Sequence, residues 1–264
     1  MALHQIFCNN PAIADEQDSP FKLLLDPVDR SHIKALRLQL GEHLALVDAN
    51  ADYFEVEIER IQDGEIWVRI ADHLDKPQET IPLMLVQGLA KGEKMDTVLR
   101  QATELGITGF FPATMQRSVV RLDQKKAEKR VERACAIARS ASLQSGRTSI
   151  PEVHITRPLH DIVNRWESDD AVLLFWEEAP TTRSISRLFD ELKADQRLSE
   201  FSRFWILIGP EGGIAAEEVA MVETSPAQVF TLSLGPTILR TETAGVVASA
   251  LALNELRFCA EESI

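Results

Sequence analysis

Two glycine-rich loops near the C-terminal end of the sequence contain the residues best suited to bind a ligand. The first loop is residues 209–213, Gly-Pro-Glu-Gly-Gly, and the second is residues 235–243, Gly-Pro-Thr-Ile-Leu-Arg-Thr-Glu-Thr. Each follows an apolar, strand-like run. Glycines let a ligand approach the backbone, and a helix that starts after a loop presents free N–H donors. A single loop of this kind is also typical of an ordinary strand-to-helix turn, but the pair predicts a ligand site.

The second loop also carries charge in an apolar setting. Arg240 and Glu242 stand between a strand-like run and a stretch of small and apolar residues, where a charge is costly unless it is paired or used. They form either a structural ion pair at a helix start or part of a reactive site. Neither loop matches G-x-G-x-x-G or G-x-x-x-x-G-K-[ST], so the sequence does not indicate a dinucleotide site or a phosphate loop.

The composition is that of a soluble globular protein with an acidic balance. The chain has 264 residues, of which 45% are hydrophobic and 26% charged, and its formal net charge is −13. No apolar run is long enough to cross a membrane and no export signal opens the chain, so we expect a cytoplasmic protein. Cys8, Cys135 and Cys259 show no C-x-x-C spacing and no H-x-x-x-H pair occurs, so we expect reduced thiols and no metal site.

Basic residues are concentrated in residues 117–147, which we call the basic segment. It holds nine basic and three acidic residues, a balance of +6, so the rest of the chain carries −19. Such a patch on an acidic protein is expected where one face binds a polyanion. A solvated helix face has the same pattern, so both interpretations stay open for its lysines. The nine are Arg117, Arg121, Lys125, Lys126, Lys129, Arg130, Arg133, Arg139 and Arg147.

The elements that must position the loops fall into two predicted domains. Residues 1–75 alternate apolar and charged side chains, with Asp63-Gly64 turning between two strands, as in a small β-rich domain. Residues 76–264 alternate strand-like and helix-like segments, which predicts an α/β domain with a largely parallel sheet. The apolar spacing of residues 95–105 predicts one of its helices, capped by Gly106. Ligand loops of such a sheet gather at the carboxyl ends of its strands.

Several motifs, in order along most of the chain, resemble the small-subunit (16S) ribosomal RNA uridine N3-methyltransferase family of the SPOUT superfamily. The set is more specific than any one member. Near the N-terminus, Arg30-Ser31-His32 with Leu36-Arg37 resembles the family's RNA-binding entry motif. The other motifs are Lys91-Gly92-Glu93-Lys94-Met95-Asp96 with Ala102-Thr103-Glu104-Leu105-Gly106, Arg117-Ser118-Val119-Val120, Gln144-Ser145-Gly146-Arg147, Ile208 through Gly213, and Leu234 through Ala244.

The resemblance implies both fold and activity. It implies a PUA-like β-barrel RNA-binding domain in residues 1–75, followed by a SPOUT methyltransferase domain in residues 76–264 with a C-terminal trefoil knot around the two loops. The expected activity is S-adenosylmethionine-dependent methylation of a uridine N3 in 16S ribosomal RNA. The expected assembly is a homodimer that contacts ribosomal RNA, or the assembled small subunit, through both subunits.

The resemblance and the loop chemistry together give the expected site residues. The cofactor-binding candidates are Ile208, Gly209, Glu211, Gly212, Gly213, Leu234, Gly235, Ile238, Leu239, Arg240, Thr241, Glu242 and Thr243. Uracil N3–H is a weak acid near neutral pH, so its removal needs a base or cations that stabilise the anion. We assign Arg240 to positioning or charge stabilisation and keep Glu211 and Glu242 as alternative bases. The RNA-binding candidates are Arg30, His32, Lys34, Arg37, Arg117, Arg121 and Arg147.

Two other functions remain open at this point. One is a catalytically idle RNA-binding factor for ribosome assembly, favoured by an acidic N-terminal region with 7 basic and 16 acidic residues through Glu79. The other is a SPOUT methyltransferase that acts on transfer RNA. The idle factor predicts no cofactor affinity, whereas the second enzyme predicts cofactor binding with a different RNA. An enzyme of small-molecule metabolism would leave the basic segment unexplained.

Overall fold

The chain forms two compact units. The structure, a computed structural model, describes residues 3–10, 13, 19–76, 81–120, 124–179 and 183–261. One unit contains Met1–Gln78 and Arg139–Ile150, and the other contains Glu79–Ala138 and Pro151–Ile264. None of the helices in the described ranges is long and apolar enough to cross a membrane. The division at residue 75 into an RNA-binding and a catalytic domain stays a prediction.

The first unit contains a five-stranded mixed sheet and a helix. Its elements are β1 (His4–Phe7), β2 (Phe21–Lys22), α1 (Pro27–Leu36), β3 (His43–Val47), β4 (Tyr53–Gln62) and β5 (Glu65–His73). The strand order is β1-β3-β4-β5-β2, with β1 and β3 parallel and the other pairs antiparallel. The predicted hairpin is confirmed, since β4 and β5 pair around Asp63 and Gly64, whose φ angles of 54° and 78° are typical of a tight hairpin turn.

The core of the first unit explains its sequence pattern. Alternate residues of the long hairpin point inward, so each glutamate of β4 up to Glu57 is followed by a buried apolar side chain. The other face of β4 and β5 stays partly exposed, as in most antiparallel sheets. The main buried side chains are Ile6, Phe21, Leu44, Leu46, Phe54, Val56, Ile58 and Val68.

The second unit is an α/β unit, as the sequence predicts. Its strands are β6 (Leu83–Gly88), β7 (Gly109–Thr114), β8 (Glu152–Val153), β9 (Arg157–Pro158), β10 (Asp170–Phe175), β11 (Arg203–Ile208) and β12 (Gln228–Leu232). Its helices are α2 (Lys94–Leu105), α4 (Leu159–Val163), α5 (Ile185–Ala194), α6 (Ala216–Glu223) and α7 (Thr241–Glu261), with a short 3-10 turn at Leu198–Glu200. Helix α3 (Gln124–Ser145) contributes residues to both units.

The seven strands form one parallel sheet in the order β12-β10-β11-β6-β7-β8, with β9 beside β7. Its central strands β10 and β11 are almost entirely buried, which is why they read as continuous apolar runs rather than alternating ones. The predicted α2 is also confirmed. It buries Met95, Val98, Leu99 and Ala102 and ends at Gly106, whose φ of 124° suits glycine.

The order of the strands brings their carboxyl ends together. Strands β12, β10 and β11 are neighbours in the sheet, and all three run in the same direction. The loops that follow them therefore meet at one edge of the sheet. The first glycine loop follows β11 and the second follows β12, so the fold joins two segments that are separate in sequence.

Candidate functional site

A cavity of about 560 Å³ lies at the carboxyl ends of β10, β11 and β12. Both glycine loops line it, together with the residues that follow β10 and with Lys94 from α2. All of the cofactor-binding candidates line the cavity except Glu242 and Thr243. Two loops chosen from the sequence for their backbone chemistry thus form one site. Among the described residues, no cluster of acidic, histidine and cysteine side chains is arranged to hold a metal ion.

Close backbone packing holds the first loop. A Cβ atom on Gly88, at the end of β6, would lie 2.6 Å from Pro210 Cδ and 2.7 Å from the carbonyl carbon of Gly209. A Cβ atom on Gly209 would lie 2.8 Å from Ile214 Cγ1. All three distances are shorter than real side chains tolerate, so only glycine fits at these two positions. The first loop therefore lies directly against the end of β6.

The second loop is open. Nothing lies within 4 Å of a Cβ placed on Gly235, but its φ of 117° is one that other residues rarely adopt. The Ser233 hydroxyl accepts a hydrogen bond from Gly235 N at 3.1 Å and lies 3.2 Å from Gly235 O, so it closes a tight turn at the loop entrance. Ile238 is 82% exposed at the loop tip. Backbone conformation, rather than packing, determines this segment.

Lys94 connects the two predicted carboxylates. Its ammonium Nζ lies 3.1 Å from Glu211 Oε1 and 3.2 Å from Glu242 Oε2. Glu211 Oε1 also accepts a hydrogen bond from the backbone N–H of Lys91 at 3.1 Å. Glu211 lines the cavity directly, whereas Glu242 reaches the site only through Lys94. The arrangement places one cation between two anions, one from each loop.

These contacts determine the protonation states of Glu211 and Lys94. Partial burial raises the pKa of Glu211, but the N–H donors of Lys91 and of Glu211 itself and the Lys94 ammonium outweigh it, so the pKa falls below its ordinary value. The hydrogen bonds of Lys94 with Glu211 and then with Glu242 raise the pKa of the ammonium. At neutral pH Glu211 is a carboxylate and Lys94 is a cation.

Arg240 stands at the rim of the cavity with an exposed side chain. Its guanidinium makes no hydrogen bond or ion pair with the residues that the structure describes, and Glu242 pairs with Lys94 instead. The alternative of a structural Arg240–Glu242 ion pair is therefore wrong. Only the backbone carbonyl of Arg240 is engaged, accepting from Ala244 N at 2.8 Å at the start of α7. A free guanidinium at the rim is available to an anionic or carbonyl-bearing substrate.

Arg117 lies on the cavity wall. Its Nη1 donates to the carbonyl of Gly212 at 3.1 Å and pairs with Glu178 Oε1 at 2.6 Å. Glu178 follows β10, so this arginine joins the first loop to a third loop that the sequence did not single out as part of the site. The proposed RNA contact of Arg117 stays a prediction, and its observed contacts are within the cavity.

The other RNA-binding candidates are spread over the chain. Arg30 and Lys34 are exposed on α1, and Arg37 is exposed at the C-terminal end of that helix. The spacing of four residues puts Arg30 and Lys34 on one side of α1. His32 lies in the same helix, but its side chain is outside the described part of the structure, and Arg121 lies outside the described residues altogether. Arg147 is partly buried in the first unit.

Part of the basic segment has a structural role. Arg139 donates from Nε to both carboxylate oxygens of Asp29 at 3.0 Å, and Asp29 is fully buried. Arg133 pairs with Asp96 at 2.5 Å. Lys125 and Lys129 are exposed on α3. The sequence count of nine cations therefore overstates the number available to a polyanion.

Sequence analysis did not identify the buried polar pair Gln87 and Thr241, which lies beneath the loops. Gln87, at the end of β6, is fully buried, and its Nε2 lies 2.8 Å from Thr241 Oγ1. Thr241 Oγ1 in turn lies 2.5 Å from the Gly209 carbonyl oxygen. One signal was available, because Gln87 is the only polar residue in the otherwise apolar run Leu83–Gln87.

Comparisons with known proteins agree with this geometry. The RNA methyltransferase domain family matches residues 77–253. The ribosomal RNA small subunit methyltransferase E of Bacillus subtilis is 30% identical over 82% of this chain and 83% of its own length. The protein of the same name from Mycobacterium tuberculosis is 32% identical over 80% of this chain and 78% of its own length.

Solved structures share the fold over nearly the whole chain. A Legionella pneumophila protein, solved in complex with its cofactor SAM, is 26% identical, with a TM-score of 0.74 over 96% of this chain and 98% of its own. A Neisseria gonorrhoeae ribosomal RNA small subunit methyltransferase E, bound to S-adenosylmethionine, is 24% identical. Its TM-score is 0.76, over 94% of this chain and 96% of its own. From the family match and the two sequence relatives, the chain belongs to the ribosomal RNA small subunit methyltransferase E family of RNA methyltransferases.

Proposed function

We propose that this protein transfers a methyl group from S-adenosylmethionine (SAM) to the N3 atom of a uridine in 16S ribosomal RNA of the small subunit. The observation that carries the proposal is the cavity in which both glycine loops meet at the carboxyl ends of three parallel strands. The names of the sequence relatives support the RNA class. The motif resemblance supports uridine N3 as the target atom.

The cavity fits SAM in size and chemistry. Its volume of about 560 Å³ is within the range of about 300–1,000 Å³ usual for small-molecule sites. Ile208, Gly209, Leu234 and Leu239 lie where strand ends and loop backbone can offer N–H and C=O groups to an adenine and a ribose. Glu177 adds a carboxylate to the wall, which suits a ligand with a sulfonium and an ammonium group.

The bound cofactor would supply an electrophilic methyl group, and the chain's own residues must align and deprotonate the uracil. Glu211 is the favoured proton acceptor at a carboxylate oxygen, because it lines the cavity and is ionised at neutral pH. Arg240, free at the rim, is the group that stabilises negative charge on the uracil oxygens. Lys94 holds Glu211 in place. Glu242 supports Lys94 from the second loop.

The remaining expectations concern RNA and assembly. We place the PUA-like β-barrel in the first domain, where the mixed five-stranded sheet supports it. Arg30 and Lys34 on one side of α1 support RNA binding by this domain, with His32, Arg37, Arg121 and Arg147 as further contacts. The C-terminal knot rests on the family resemblance. The homodimer rests on the family resemblance.

Calorimetric titration with SAM, followed by labelled-methyl transfer to small subunits that lack their natural modification, tests the proposal. Digestion of the product RNA to nucleosides identifies the methylated atom. Binding together with 3-methyluridine in 16S RNA is the expected result. If the protein binds SAM and methylates transfer RNA but not the small subunit, the proposed substrate is wrong and transfer RNA takes its place. A folded protein that does not bind SAM would favour the idle RNA-binding factor.

A further inference from the structure

The hydrogen bonds beneath the cavity join three separate segments of the second unit. Gln87 is the second-last residue of β6, Thr241 starts α7, and Gly209 opens the first loop. Gln87 Nε2 to Thr241 Oγ1 is 2.8 Å, and Thr241 Oγ1 to Gly209 O is 2.5 Å. In the sheet, Gln87 lies beside Ile208, the residue before Gly209. The hydrogen-bond chain Gln87–Thr241–Gly209 thus connects both ligand loops to the centre of the sheet.

The direction of this chain is fixed by its last acceptor. A backbone carbonyl only accepts, so the Thr241 hydroxyl must donate its proton to Gly209 O. The hydroxyl oxygen is then left as an acceptor, and the Gln87 side chain must present its NH₂ group to it. Each member therefore has one role, and the amide of Gln87 cannot turn over without losing the contact.

Helix α7 is shaped to leave room for this glutamine. A Cβ atom on Gly245 would overlap Gln87 Oε1 and would lie 3.3 Å from Val98 Cγ1. Gln87 Oε1 is buried and has no hydrogen-bond partner among the described residues. A buried carbonyl oxygen without a partner costs free energy, so packing and stability alone favour an apolar side chain at position 87. The arrangement therefore stabilises the folded unit less than an apolar residue would, and a positional role accounts for it.

We propose that Gln87 and Thr241 are positioning residues that set the separation and register of the two ligand loops, and thereby the affinity for the cofactor. The identity of that cofactor rests on the proposed function. The hydrogen bond from Thr241 holds the carbonyl oxygen of Gly209. It thereby fixes the adjacent backbone groups of the first loop at a set distance from Leu239 and Arg240 in the second. Neither Gln87 nor Thr241 needs to touch the uracil for this role.

Two variants test the proposal, with two matched controls. Thr241→Val keeps the shape of the side chain and removes both hydrogen bonds, whereas Thr241→Ser keeps the hydroxyl. Gln87→Met keeps the length and removes the donor, but leaves the Thr241–Gly209 bond intact. Ser249→Ala is the second control, because Ser249 is buried in the same helix and donates only to Gly245 O at 2.7 Å. The measurements are the SAM dissociation constant, KM for SAM and for RNA, and the melting temperature without ligand.

We expect Gln87→Met, which loses one hydrogen bond, to weaken SAM binding about tenfold, and Thr241→Val, which loses both, to weaken it at least as much. KM for RNA should change less than about twofold. Ser249→Ala should bind SAM as the wild type does, and Thr241→Ser should bind it more tightly than Thr241→Val because it keeps the hydroxyl. The double variant Thr241→Val with Gln87→Met should lose little more than Thr241→Val alone, since the two residues act through one chain.

Unchanged SAM affinity in Gln87→Met, whatever its melting temperature, would overturn the proposal and leave the pair a structural role only. If Thr241→Val does not fold, Gln87→Met decides the question by the same measurements. Failure of the wild type and of Ser249→Ala to bind SAM would instead reject the proposed function. The two failures are therefore distinguishable in one series of titrations.

Discussion

The two loops that line the cavity are held in opposite ways. The first loop packs so closely against the end of β6 that no Cβ atom fits at Gly88 in the strand or at Gly209 in the loop. In the second, Gly235 has open space around it and Ile238 at the tip is 82% exposed. Packing thus fixes one wall of the cavity, whereas backbone conformation and a few hydrogen bonds fix the other. Glycine is needed in the first wall because no Cβ atom fits, and in the second because of the positive φ angle of Gly235.

The strongest test of this contrast is Gly88→Ala. The new Cβ would meet Pro210 Cδ and the Gly209 carbonyl carbon, neither of which is the movable end of a flexible side chain. We expect loss of about 3 kcal/mol of unfolding free energy and no detectable SAM binding, measured by denaturant unfolding and calorimetry. Gly235→Ala is the matched change in the open loop. It should cost about 1–2 kcal/mol through backbone strain alone, and equal losses in both variants would contradict the contrast.

Arg240→Ala removes the exposed cation of the second loop and is expected to abolish measurable methyl transfer. The physical reason is loss of charge stabilisation at the uracil oxygens, worth about 10²–10³ in kcat for one well-placed donor. SAM affinity should stay within about threefold, since the proposed target of this side chain is the RNA base. Arg240→Lys should recover part of the rate. Full activity of Arg240→Ala in a single-turnover assay would remove the residue from the chemistry.

The carboxylates Glu211 and Glu242 provide a further test of the difference between the two loops. Glu211→Gln should lower kcat about 10²-fold, because this carboxylate lines the cavity and is the proposed proton acceptor. Glu242→Gln should lower kcat about tenfold or less, because Glu242 acts only through Lys94. Rates at saturating SAM and RNA measure the difference. A larger loss for Glu242→Gln would transfer the role of base to the second loop.

The smallest expected effect is on stability as a function of pH. The pKa of Glu211 is lowered in the folded chain, so its contribution to stability is present above the ordinary carboxylate value of 4.5 and is lost as pH falls through the folded-state pKa. Glu211→Gln should therefore lower the melting temperature at pH 7 by only about 2 °C, because the Lys94 pair is partly exposed. At pH 3 variant and wild type should melt closer together. A constant difference would mean that ionisation of Glu211 does not contribute.

The parts of the site that could be predicted are those encoded locally. A glycine loop after an apolar strand carries its own signature, so residues 209–213 and 235–241 were found from the sequence, and the parallel sheet explains why they meet. The helix with Gly106 at its end was predicted for the same reason.

The parts that could not be predicted depend on contacts between distant residues. Lys94 is 117 positions from Glu211 and Gln87 is 154 positions from Thr241, so no local pattern indicates either pair. Charge counting failed for a related reason. Arg139 reads as one more cation in the basic segment, but the fold pairs it with Asp29, which is 110 positions away and fully buried.

The strand order has a consequence for how the chain folds. Strand β6 pairs with β7, its near neighbour in sequence, and with β11, which follows far along the chain. Closing a long stretch of chain to form a parallel pair is slow, because entropy is lost before the contact is gained. The hydrogen-bond chain also needs Thr241, which is 154 positions after Gln87. A nascent chain on the ribosome therefore completes its ligand cavity only after β6, β11, β12 and the start of α7 have all been synthesised.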